Sequence, residues 1–143
     1  MGAGGNGGDV VSWTSLIHNP QGITAVYGGD PPPLSHVRIR EVSLREDGPT
    51  LALRFDLPVF PDNAPRKWVA QHFNTVQLEI EFGGIHSLVI EGLGTEVTAD
   101  IALSEGDGVT LVVASPVMRV EAVAQSAYLS SISAYADGGE ECG

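Results

Sequence analysis

The sequence predicts a mainly β (β-rich α+β) domain, an antiparallel meander of about seven or eight strands forming a sandwich or half-open barrel, with short N-terminal helices. Three observations lead there. Apolar and polar residues alternate with a period of two in "TLALRFDL" and "NTVQLEIEF", the signature of half-buried antiparallel strands rather than the uniformly apolar runs of a parallel sheet. Turn signals recur at short intervals: "GG" at 83–84, "GLG" at 92–94, "EGDG" at 105–108 and Ser115-Pro116. No βαβ rhythm appears anywhere in the chain.

Taken in order, residues 1–10 are glycine-rich and read as a disordered tail, because ordering them would cost backbone entropy that no apolar burial returns. Residues 11–136 read as one domain, and the acidic, glycine-containing residues 137–143 as a second disordered tail. Ser12 is a candidate N-cap for a short helix with Trp13, Leu16 and Ile17 on one face. Asn19 then offers a second cap, with Pro20 at the first helical position, Ile23, Val26 and Tyr27 facing the core, and Gly28-Gly29 as the stop. "DPPPLS" can be neither helix nor central strand. The first strand changes phase near Arg40-Glu41, which predicts a bulge, and "REDGPT" joins it to Leu51, Leu53, Phe55 and Leu57 on one face of the second. Val76, Leu78, Ile80 and Phe82 point inward from the next strand. Further strands are expected over 85–91, 97–103, 109–114, 117–123 and 127–135. Only 58–73 interrupts the strands for long, and "PRKWVAQH" within it can form one or two helical turns after Pro65.

Charge narrows the function classes. The formal net charge is -11, and from Val69 to Met118 there is no Lys or Arg, while Glu79, Glu81, Glu91, Glu96, Asp100, Glu105 and Asp107 all fall there. Six of the seven bases lie between residues 38 and 67. Such a layout argues against nucleic acid, whose phosphates demand a basic surface, and leaves a basic protein or a metal ion as the possible charged partner. The first residues lack a basic and an apolar signal region, and no apolar run has the length of a membrane span, so a cytoplasmic protein without membrane contact is expected.

Catalytic and metal signatures are weak. "GAGGNG" starts at residue 2, with no strand before it to make a dinucleotide site. His18, His36, His72 and His86 lack metal-ligand spacing, "EGDG" lacks the alternating ligands of a calcium loop, and Cys142 lies in the tail with no partner in the chain. No serine sits in a nucleophile elbow. No enzyme activity, metal or cofactor is therefore expected. The candidate partner-binding residues are Gln77, Glu79 and Glu81 on the outward face of one strand, with Thr75, Thr98 and Asp100 extending a polar stripe without a cation. Arg66, Lys67 and Trp68 form a second candidate cluster, in which Trp68 either covers the end of the sheet or stands at a binding surface.

The order of these features, a short Trp-containing helix, "HNPQGITAVYG", "VRIREVSLREDGPTLALRFDLPVFP", "APRKW", "FNTVQLEIEF" and a late "SAY", resembles the immunity protein 50 family of bacterial polymorphic toxin systems over residues 12–135. The resemblance implies a small non-catalytic protein that binds and neutralises a cognate toxin, and it supplies no catalytic residues. Many toxin domains are basic nucleases, for which an acidic inhibitor is electrostatically suited. The reading from another class is a small-ligand-binding or enzymatic β-domain with a pocket near residues 58–73, which requires convergent carboxylates and histidines there.

Overall fold

The computed structural model describes residues 13–28 and 31–136. Ser12, Gly29, both tails and Cys142 lie outside the described residues. A 3₁₀ turn at Trp13–Leu16 precedes helix α1 (Gln21–Tyr27). Strands β1 (Val37–Arg45) and β2 (Thr50–Asp56), helix α2 (Arg66–Ala70) and strand β3 (Thr75–Gly83) follow. The chain then forms β4 (Ser87–Glu91), β5 (Thr98–Gly106), β6 (Gly108–Ala114), β7 (Arg119–Ala124) and β8 (Ser126–Tyr135).

All eight strands join one open antiparallel sheet in the order β4-β7-β6-β5-β1-β2-β3-β8. Two meanders, β1-β2-β3 and β5-β6-β7, form its halves, and three pairings between strands distant in sequence complete it. The join between halves is narrow: β1 meets β5 only at Val37↔Ala99 and Arg38↔Thr98. The sheet curls at this join, so that β6 comes into contact with β8 although four strands separate them in the order. One apolar core fills the concave side, drawing Leu53, Phe55, Leu78 and Ile80 from one half and Leu111, Val113 and Val120 from the other, all at most 1% exposed. Burying each such side chain contributes about 1.5–3 kcal/mol.

Two connections cross between the halves at one corner. The Gln125 amide, between β7 and β8, donates to the carbonyls of Gly83 at 2.9 Å and Gly84 at 3.2 Å. Gly84 has φ +66°, a left-handed conformation that favours glycine, and a Cβ there would lie 2.7 Å from the Gln125 side-chain oxygen and displace that side chain.

Most of the expected elements form where the alternation placed them. The register slips between Ile39 and Glu41, which is the predicted bulge. Helix α1 stops at Gly28 with φ +71°, and Pro65 opens α2. Two local expectations change. The segment Trp13–Leu16 is a 3₁₀ turn, anchored by the Trp13 indole donating to the Pro32 carbonyl at 2.9 Å. Asn19 does not cap α1, whose N-cap is Pro20 with no side-chain hydrogen bond. Its side-chain amide instead donates to the Leu129 carbonyl at 2.8 Å and accepts from the Leu129 amide at 2.7 Å. The strand backbone offers both a donor and an acceptor, whereas a helix N-terminus offers donors alone.

Candidate functional site

On the convex side of β1, β2, β3 and β8, the polar residues expected to face outward align in rows across the strands. One row runs Arg38↔Asp56↔Gln77↔Ser133, the next Glu41↔Arg54↔Glu79↔Ser131, and a third Ser43↔Ala52↔Glu81↔Tyr128. The expected cation-free stripe is not what forms. Arg45 Nη1 lies 3.1 Å from Glu81, Arg54 pairs with Glu41, and Arg40 Nε donates to Asp56 at 2.7 Å. Thr98 and Asp100 do not extend the row from β3, because β1 and β2 stand between β5 and β3. Strand order, which the alternation along a single strand leaves open, decided both points. The face carries Arg38, Arg40, Arg45 and Arg54 against Glu41, Asp56, Glu79 and Glu81, and is therefore balanced in charge.

Two carboxylates on this face are buried beneath longer side chains, Asp56 at 5% and Glu81 at 8% exposure. Asp56 accepts hydrogen bonds from Arg40, from Gln77 Nε2 at 3.0 Å and from the Tyr135 hydroxyl. Gln77 is thereby committed to the sheet. Glu81 accepts the Tyr128 hydroxyl, and this bond, with Arg45 adding to it against the cost of burial, holds its carboxyl below the usual carboxylate range. The same bond, first among the causes, raises the Tyr128 phenol. For Tyr135 burial leads and the bond to Asp56 follows, and its phenol is raised as well.

A depressed folded pKa means that Glu81 contributes stability above the ordinary carboxylate range and loses it as the pH falls through the depressed value. Tyr128→Phe is accordingly expected to cost about 1 kcal/mol at neutral pH, a modest figure because this tyrosine is partly exposed. Urea titrations of both proteins should show the gap narrowing below about pH 4. A gap of the same size at pH 3 and pH 7 would contradict this role for Glu81.

The other half differs in charge. Residues 84–125 carry Glu91, Glu96, Asp100, Glu105, Asp107 and Glu121 against Arg119 alone, and Arg119 pairs with Glu121. Glu91, Glu96, Asp100, Glu105 and Asp107 are all exposed. Asp100 also accepts the His36 amide through Oδ1 at 3.0 Å, supporting a residue held at φ +59°. The acidic surface of the molecule is thus centred on β4 to β7 and not on β3.

The basic cluster lies on α2. Arg66 and Lys67 are exposed there, whereas Trp68 is partly buried against the core, its ring centroid 6.3 Å from that of Phe60. Trp68 thus packs against the core, with its two cationic neighbours exposed to solvent. Nearby, α1 and the 59–63 segment border an open groove of about 460 Å³, across which the Tyr27 hydroxyl donates to the Val59 carbonyl at 2.7 Å. Burial raises the Tyr27 phenol well above its ordinary value. Among the described residues, Asp62 is the one carboxylate lining the groove, and no histidine lines it. The described residues thus do not gather there the convergent polar groups that a ligand or catalytic pocket needs. Among the described residues, no three His, Cys, Asp or Glu side chains come together as a metal site. No helix among them is long and apolar enough to cross a membrane.

A family model described as Immunity protein 50 matches residues 19–135. Neither the curated proteins nor the solved structures contain a match to the chain.

Proposed function

The chain belongs to the immunity protein 50 family, and from that premise we propose that it binds and neutralises a cognate protein toxin stoichiometrically, without catalysis, in the cytoplasm of the bacterial cell it protects. Family membership over residues 19–135 is the observation that carries this reading. The charge distribution supports a cationic toxin, a basic nuclease being the kind best suited to it. The exposed carboxylates of β4 to β7, Asp100 among them, attract such a surface over a Debye length of about 8–10 Å. Glu79 stands on the charge-balanced face, opposite Arg54, as a secondary contact. Gln77 and Glu81 hold the neighbouring sheet in shape, while Arg66, Lys67 and Trp68 on α2 offer a separate contact for an acidic or aromatic group of the same partner.

Mixing the chain with the toxin domain encoded by the neighbouring gene tests the reading. A one-to-one complex that abolishes the toxin's activity is expected. Turnover of a toxin-derived product by catalytic amounts of this chain would replace stoichiometric binding with enzymatic action.

A further inference from the structure

The two edges of the sheet are treated differently. At β8, residues 18 and 19 occupy the open side as a short extra strand would: the His18 amide donates to the Ala127 carbonyl at 2.9 Å, and the Asn19 side chain makes its two bonds to the Leu129 backbone. At the other end β4 pairs with β7 alone, and no other described strand joins its second side. An antiparallel strand directs alternate backbone amides and carbonyls away from its single neighbour, leaving a template for a further strand. Edges are ordinarily blunted by short length, by charged side chains, lysine above all, by proline or by a bulge. The β4 sequence, SLVIE, contains neither residue, and its register with β7 runs unbroken from Ser87↔Val123 to Glu91↔Arg119.

Apolar side chains stand in solvent beside this edge. Val89 and Ile90 are each 43% exposed, Val117 is 53% and Leu93 is 86%. Val89 and Ile90, adjacent in the strand, point to opposite faces, and beyond them the chain turns tightly: Gly92 has φ +78°, and a Cβ there would lie 2.1 Å from the Val117 carbonyl oxygen. A Cβ on Gly94 would meet the Val117 side chain at 3.2 Å. The exposed Leu93 lies between these two glycines, in the turn that follows β4. Exposed carboxylates border the patch, with Glu91 on the strand and Glu96 just beyond the turn.

That charge selects the occupant. A second copy of the chain would bring another net charge of -11 to the edge, and the chain's own residues 137–143 carry Asp137, Glu140 and Glu141. Both are repelled where a cationic segment is attracted. We propose that β4 is a docking edge for an extended segment of the toxin, one that adds as a ninth strand beside Ser87–Glu91. Its backbone completes the ladder, its apolar side chains cover Val89, Ile90, Leu93 and Val117, and its lysines or arginines meet Glu91 and Glu96. This assignment rests on the toxin-binding reading.

The test uses the full chain and the toxin domain encoded by the neighbouring gene as the probe. Val89→Lys and Leu93→Lys, made singly, add to exposed positions the charge that naturally blunts edges, and their melting temperatures should match the parent's. Each is expected to weaken toxin binding at least tenfold, and the amides of Ser87–Glu91 should exchange more slowly in the complex than in the free chain. If the parent binds the toxin while both variants bind equally well and β4 exchange is unchanged, the docking edge is wrong and the toxin-binding reading stands. If the parent does not bind, both fall. A parent dimer that Val89→Lys converts to monomer, with toxin affinity unaltered, assigns the edge to a second copy and overturns the proposal.

Discussion

Asp56→Ala is expected to destabilise the domain by about 3 kcal/mol, lowering its melting temperature by roughly 10 °C. The carboxylate is 5% exposed and is the shared acceptor for Arg40, Gln77 and Tyr135, which come from β1, β3 and β8. Its removal leaves the Tyr135 hydroxyl and the Gln77 amide short of a partner and withdraws the Arg40 counter-charge. The cost falls at the lower end of the range for a broken buried pair because Arg40 has access to water and can rehydrate. Arg54→Ala provides the contrast. It removes the partner of Glu41 at a pair whose two side chains are both more than two-fifths exposed, and should cost below about 1 kcal/mol. Equilibrium urea unfolding compares the two, and an Asp56→Ala protein within about 1 kcal/mol of the parent would show that this network does not hold the four strands together.

Reversing Glu91, Glu105 and Asp107 to lysine is expected to slow toxin association by about 10- to 100-fold at low salt. All three residues are exposed on the acidic half, so the substitutions leave the core untouched. They change the net charge from -11 to -5, six units across three positions. The parent's association rate should fall steeply as salt rises, whereas the triple variant's should respond weakly. Glu79→Lys is the matched control on the balanced face, where neighbouring arginines already offset the carboxylates, and its effect should be smaller. Stopped-flow association at several ionic strengths measures all of this. Rates that ignore both salt and the triple reversal would remove electrostatic steering from the account.

Some of this was legible in the sequence, for physical reasons that particular residues show. Val76, Leu78, Ile80 and Phe82 announce the buried side of β3 because a strand's side chains alternate whatever its neighbours are. The phase change at Arg40-Glu41 marks the bulge, and Gly28 and Pro65 mark helix ends, since each constrains the backbone locally. Other features depend on contacts between distant segments. Asn19 has the composition of a helix cap, but its partner is Leu129, 110 residues away. Glu81 has the alternation of a solvated residue, yet Tyr128, 47 residues on, and Arg45 from the end of β1 enclose it. The acidic character of the chain after residue 68 is plain from composition. Its division between a neutralised β3 and an uncompensated β4 to β7 follows from strand order, which sets β3 beside the arginine-bearing β2.

The central claim is that this chain protects a cell by occupying a toxin. Expressing the toxin domain of the neighbouring gene in a sensitive bacterium, with and without this chain, tests it most directly. Growth should be restored when the chain is present, and the two proteins should then purify together in equal amounts. Continued killing with no complex recovered, in cells that contain the folded chain, would contradict it.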